Sequence, residues 1–160
     1  MGIGYDSSLW TLAQVPALST RFRVVLVDNR DAGRSSKASH PYRIADMADD
    51  VAGLLDALGI AQSHLLGLSK GGMIALEFAL RQADAYGQFD VLDRLGAITA
   101  PTLVVVGEQD LLTPPWIARE VAAAIPGARF EVIQGDGSSH VLPLERADDF
   151  NRLVSAFLTE

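Results

Sequence analysis

The residues best suited to chemistry are a serine, an aspartate and a histidine, met in that order along the chain. Gly67-Leu68-Ser69-Lys70-Gly71-Gly72 has the form G-x-S-x-G, with an apolar run over 63–68 before it and another over 72–80 after it. A serine between a strand and a helix in this pattern sits on a sharp, crowded turn, which is why small residues must flank it. Its hydroxyl then stands near a helix N-terminus, where negative charge is favoured. A hydroxyl is a weak nucleophile, so it needs a base to take its proton and an acid to orient that base. Serines of this motif find the acid next in the chain and the histidine last. Asp110 follows the apolar run 101–107, and His140 lies in the loop after the run 128–133. Both positions are beyond the C-terminal ends of strands, where open α/β sheets bind ligands. The other two histidines are weaker candidates: His64 falls inside a strand-like run, and His40 precedes a proline in a loop. Ser69 is therefore the candidate nucleophile, His140 the base and Asp110 the acid. The matching chemistry is attack on an acyl carbon. Its oxyanion needs N–H donors; the backbone of Lys70 is one candidate, and that of Ile3 in Met1-Gly2-Ile3-Gly4 is the second.

These groups need a scaffold. The runs 22–28, 63–68, 101–107 and 128–133 are short, rich in Val and Leu, and mostly do not alternate, as expected of strands buried on both faces of a parallel sheet. Between them lie helical stripes. Met47, Val51, Leu54, Leu55 and Leu58 form one, stopped by Gly59. Ile117, Val121 and Ile125 form a second, which Pro126-Gly127 ends; Thr113-Pro114-Pro115 predicts its N-cap and first turn. Phe150, Leu153, Val154, Phe157 and Leu158 form the last. The run 72–80 is apolar nearly all round and predicts a buried helix. Shorter helices are expected over 7–14 and 90–95. This alternation predicts an α/β fold: one domain over 1–160, with a small, mostly parallel sheet and helices on both faces.

Composition narrows the function. The 160 residues carry 13 basic and 20 acidic side chains, a net charge of −7. This surface has no electrostatic footprint for nucleic acid and is disfavoured at anionic membranes. There is no cysteine, hence no thiolate nucleophile or cysteine-based zinc site. Asp46, Asp49 and Asp50 read as a solvated helix face rather than a metal site. No apolar run approaches a membrane span and no signal peptide is visible, so the cytoplasm is the default location. Gly2-Ile3-Gly4 with Asp28 mimics a dinucleotide fingerprint, but Ser7 replaces the third glycine and no strand precedes Gly2.

Taken together, GIGYDSSLW (2–10), VVLVDNRDAGRSS (24–36), HLLGLSKGGMIALEFA (64–79), APTLVVVGEQDLLTPP (100–115) and SSHVLPLE (138–145) resemble the α/β-hydrolase superfamily, in particular its esterases, lactonases and methylesterases. The resemblance implies a Ser69–Asp110–His140 triad, a small-molecule ester substrate, and no metal or organic cofactor. It also exposes departures. Family members usually carry His-Gly before the oxyanion loop, a strand before that, and a cap between the nucleophile helix and the acid strand. This chain reads as a reduced α/β-hydrolase fold without the cap. Asp31 stands where the family usually has glycine, and Lys70 where methionine or glutamine is commoner. Weak, broad ester hydrolysis is the expectation; the alternative is a catalytically impaired remnant acting as a binding or interaction module. With expected neighbours of the nucleophile strand absent, the four strands should either pair directly as one sheet or take pairing from a second chain. The uncovered faces favour a homodimer.

Overall fold

Leu103-Val104-Val105-Val106-Gly107 is β-branched at its centre, and that composition favours a pleated, half-buried backbone. In the structure, a computed structural model describing residues 1–81 and 92–160, it forms β1 (Leu103–Gly107), which pairs in parallel with β2 (Arg129–Ile133). Helix α4 (Pro115–Ala124) makes the crossover between them. Side chains alternate across this pair. On one face Val105 and Ile133 pack with Leu18, Leu142, Phe150 and Val154. These come from α1 (Gln14–Leu18), α5 (Leu142–Glu145) and α6 (Ala147–Phe157). On the other face Phe130 receives the Arg119 guanidinium of α4, 4.8 Å from the ring centre. The predicted arrangement, a small parallel sheet with helices on both faces, is present here.

The chain divides into two compact units. This one comprises Trp10–Val24 and Asp90–Glu160; the other comprises Met1–Leu9 and Val25–Phe89. In the second unit, α2 (Ile44–Ala57) packs on α3 (Lys70–Arg81) through Met47, Ala48 and Ile74, with Tyr42, Ile44, Val51 and Phe78 around them. The stop at Gly59 is a complete Schellman motif: Gly59 N–H donates to Asp56 O (3.0 Å) and Ile60 N–H to Leu55 O (2.9 Å). At the other end of α2, Asp46 accepts the Arg43 backbone N–H (2.7 Å). Asp50 takes two donors of Arg30 at 2.7 Å each, and Asp49 pairs with Arg81. The acidic stretch is thus capping and ion-paired, and no cluster that could hold a metal occurs among the described residues.

Several expectations need correction. Segments 22–28 and 63–68 form no strand and join no ladder among the described residues, so the four predicted strands do not form one sheet. Apolar content alone does not make a strand; each parallel strand needs a neighbour for its N–H and C=O groups. Without one, Val25, Leu65 and Leu66 remain 37–39% exposed. Helix α3 is not buried all round: it buries Gly71, Ile74, Glu77 and Leu80, while Met73 is exposed. The short helices expected over 7–14 and 90–95 are 3-10 helices over 7–12 and 92–97; positions 90 and 91 lie outside the described residues. No helix among the described residues is long and apolar enough to cross a membrane.

Candidate functional site

In the first unit described, two loops carry Asp110 and His140, and the ends of β1 and β2 position both. Gly107 ends β1 where a Cβ would lie 2.5 Å from the Ser138 carbonyl carbon and closer still to its oxygen. Only glycine lets the two loops approach this closely. Backbone bonds then lock them: Glu108 N–H donates to Ile133 O (2.9 Å) and Gln109 N–H to Ser138 O (3.0 Å). The Glu108 carboxylate accepts the Gly135 N–H (3.0 Å). Ser138 is fully buried, and its hydroxyl donates to Gly135 O (2.6 Å), fixing the turn just before the histidine.

His140 and Asp110 meet there. His140 Nδ1 lies 2.9 Å from Asp110 Oδ2 and 3.1 Å from Oδ1. The Asp110 side chain is 6% exposed and that of His140 is 20% exposed. Burial pushes the Asp110 carboxyl up. The backbone N–H and hydroxyl of Thr113, the His140 ring and the Leu112 N–H outweigh this and hold it below its ordinary value of 3.8. An ionised carboxylate on Nδ1 orients the ring and leaves Nε2 to act as base.

In the other unit, Ser69 sits on the turn into α3 with φ +54°, a left-handed backbone that a non-glycine residue rarely adopts. Strain of this kind is retained where the surroundings enforce it, and it clusters at functional sites. The surroundings here are the helix's first turn. Gly71 N–H donates to Leu68 O and Gly72 N–H to Ser69 O, each at 2.8 Å. A Cβ on Gly67 would lie 2.5 Å from the Gly72 nitrogen and nearer still to the Gly71 carbonyl. Gly67, the first flanking glycine of the motif, is therefore required by packing. As the first residue of α3, Lys70 carries a backbone N–H with no acceptor inside the helix.

The N-terminal segment lies against the same turn. A Cβ on Gly2 would be 3.4 Å from Ser69 Cβ and 3.8 Å from Ser69 Oγ. Ile3, the second oxyanion candidate, follows directly and its side chain is exposed. Asp28 tethers this loop: its side chain, 7% exposed, accepts the Ser7 N–H (2.7 Å) and the Arg34 N–H (3.0 Å). The Arg34 and Ser7 bonds hold its carboxyl far below the usual carboxylate range. Asp31 has φ +69°, which accounts for glycine being usual there. Its own carboxylate accepts the Ala38 N–H (2.8 Å) and stabilises the turn.

Sequence reading missed Asp28, considered only within a dinucleotide pattern, and the buried Ser138. Their signal was their place in the chain: Asp28 closes the apolar run 22–28, and Ser138 lies in the loop between β2 and His140. His40 is exposed and hydrogen-bonded to its neighbour Ser39 (2.7 Å), and His64 is exposed.

A family model described as the alpha/beta hydrolase fold matches residues 2–85, more than half of the chain. The chain belongs to the α/β hydrolase fold family. Among curated members, the RutD protein of Azorhizobium caulinodans, named for carbamate hydrolysis, is 32% identical over 76% of this chain and 52% of its own length. A RutD protein of a Caulobacter species is 39% identical over 58% of the chain and 34% of its own length. The chain thus spans about half or less of these relatives. Among solved α/β hydrolase structures, the enol-lactonase of Burkholderia xenovorans superposes with a TM-score of 0.86 at 28% identity, covering 99% of this chain and 89% of that one.

Proposed function

We propose that this α/β hydrolase cleaves carboxylic esters through an acyl-enzyme formed on Ser69. The observation that carries the reading is the left-handed Ser69 backbone on a glycine-bracketed turn at the head of α3. It is supported by the buried Asp110 hydrogen-bonded to His140. It is also supported by relatives named for carbamate and enol-lactone hydrolysis, since carbamates, lactones and esters all present an acyl carbon to a nucleophile.

In this mechanism Ser69 Oγ bonds to the acyl carbon while His140 Nε2 takes its proton. Asp110 holds His140 Nδ1–H. The Lys70 and Ile3 N–H groups receive the oxyanion. The carbon–oxygen bond to the alcohol breaks, and the alcohol leaves with the proton from His140. Water then repeats the sequence on the acyl-enzyme and releases the acid.

The test is turnover of p-nitrophenyl acetate and butyrate by the wild-type, Ser69→Ala and His140→Ala proteins. Both variants are expected to lose all turnover above background. A Ser69→Ala protein as fast as wild type would sink the proposal. One observation favours a second reading, an inactive binding or interaction module: segment 63–68, leading into the nucleophile, joins no ladder and exposes Leu65 and Leu66. Wild-type protein that folds but turns over none of these esters would favour it.

A further inference from the structure

Thr113 in Thr113-Pro114-Pro115 predicts the N-cap of α4, and the structure does not use it so. The helix begins at Pro115 behind Pro114, and no side chain caps it. The Thr113 hydroxyl turns instead to the acid–base pair, donating to Asp110 Oδ2 (2.8 Å) and lying 3.2 Å from His140 Nδ1. The Thr113 and Leu112 backbone N–H groups reach Asp110 Oδ1, both at 2.9 Å.

Donor counting gives this cluster one consistent assignment. A hydroxyl has a single proton, and an ionised carboxylate only accepts. The Thr113 proton therefore goes to Asp110 Oδ2, and its oxygen meets Nδ1 with a lone pair. Every oxygen around Nδ1 is then an acceptor, which is satisfied when Nδ1 carries the imidazole proton and Nε2 does not. Apart from His140, Thr113 is the partner of Asp110 Oδ2. Without it, that oxygen keeps the ring alone, and the carboxylate is freer to rotate.

We propose that Thr113 is a positioning residue, whose hydroxyl fixes the Asp110 carboxylate and through it the Nδ1-protonated form of His140. The inference rests on the serine-hydrolase reading above, because the Nε2 lone pair is the base in that mechanism. Its effect falls on the chemical step: substrate binding is untouched, and proton transfer loses part of its contribution of about 10²–10⁴.

Thr113→Val, Thr113→Ala and Thr113→Ser are compared with wild type by kcat and KM on p-nitrophenyl butyrate. The Asp110 carboxyl is followed by carbon NMR titration. The Val and Ala variants are expected to lose about 10–100-fold in kcat with KM little changed, and the serine variant to stay within about threefold. The Asp110 titration should move up in the Val and Ala variants and stay in place in the serine variant, a difference that a packing role for the threonine methyl would not produce. Wild-type kcat in Thr113→Val, an equal loss in Thr113→Ser, or an unmoved Asp110 titration would each overturn the proposal. Hydrolysis that survives Ser69→Ala fails the hydrolase reading instead. The carboxyl titration needs no turnover and still decides on Thr113.

Discussion

Alanine at Gly67 would meet backbone on the far side of the serine turn. Its Cβ would lie 2.5 Å from the Gly72 nitrogen, and the Gly71 carbonyl is closer still; Cβ atoms essentially never approach other heavy atoms within 3.0 Å. Because the Gly71 carbonyl is the nearer group, relief needs a shift of more than 0.5 Å (3.0 − 2.5) between the segment before Ser69 and the first turn of α3. Neither side is a flexible side chain that could rotate away. Overpacking of this sort costs about 1–3 kcal/mol. A misplacement approaching 1 Å in a reacting group costs about 10² in rate. Gly67→Ala is therefore expected to lower kcat about 10–10²-fold and stability by about 1–3 kcal/mol, read from p-nitrophenyl butyrate turnover and urea unfolding. Gly53 provides the control. It lies inside α2, where an added Cβ meets nothing within 4 Å, so Gly53→Ala should stabilise by about 0.5–1 kcal/mol and leave turnover alone. A Gly67→Ala protein with wild-type kcat and wild-type urea midpoint would refute the steric reasoning about the turn.

Further outcomes follow from the same contacts. Asp28→Asn turns one carboxylate oxygen into a donor facing either the Ser7 or the Arg34 N–H. It should loosen the segment carrying Ile3 and lower kcat by up to about 10²–10³, the effect of losing one oxyanion donor; unchanged kcat would detach Asp28 from the site. Because Asp110 is held below 3.8 in the folded protein, its contribution to stability is complete above the ordinary carboxylate value and is lost as pH falls through the lowered one. The stability gap between wild type and Asp110→Asn, measured by thermal unfolding, should therefore stay open at neutral pH and close below about pH 4. A gap that closed between pH 8 and 6 would contradict that sign.

How far the sequence was legible depended on whether one segment carried its own information. The helix over 44–57 was readable because its apolar stripe and the Gly59 stop lie within 13 consecutive residues, 47–59; the Asp46 cap emerges only in the structure. The strand pair 103–107 and 129–133 was readable for a similar reason, since the helix between them makes the crossover. Segments 22–28 and 63–68 are also short apolar runs and still do not pair, because a ladder is a property of neighbours. At the candidate site, the order Ser69, Asp110, His140 was visible, and the His140–Asp110 bond agrees with it. What stayed hidden were hydroxyls and carboxylates whose partners are chosen in three dimensions. Thr113 reads as a helix cap and is bonded to Asp110, and Asp28, weighed only within a dinucleotide pattern that fails, tethers Ser7.

Whether Ser69 is the nucleophile is tested by covalent capture. Wild-type protein and the Ser69→Ala and His140→Ala variants are incubated with a fluorophosphonate, which phosphonylates activated serines and expels fluoride, and the adduct is mapped by tandem mass spectrometry. The prediction is one phosphonyl group per wild-type chain, on Ser69, with no adduct in Ser69→Ala and a strongly slowed one in His140→Ala. Labelling of another serine, or equal labelling of Ser69 with and without His140, would contradict it.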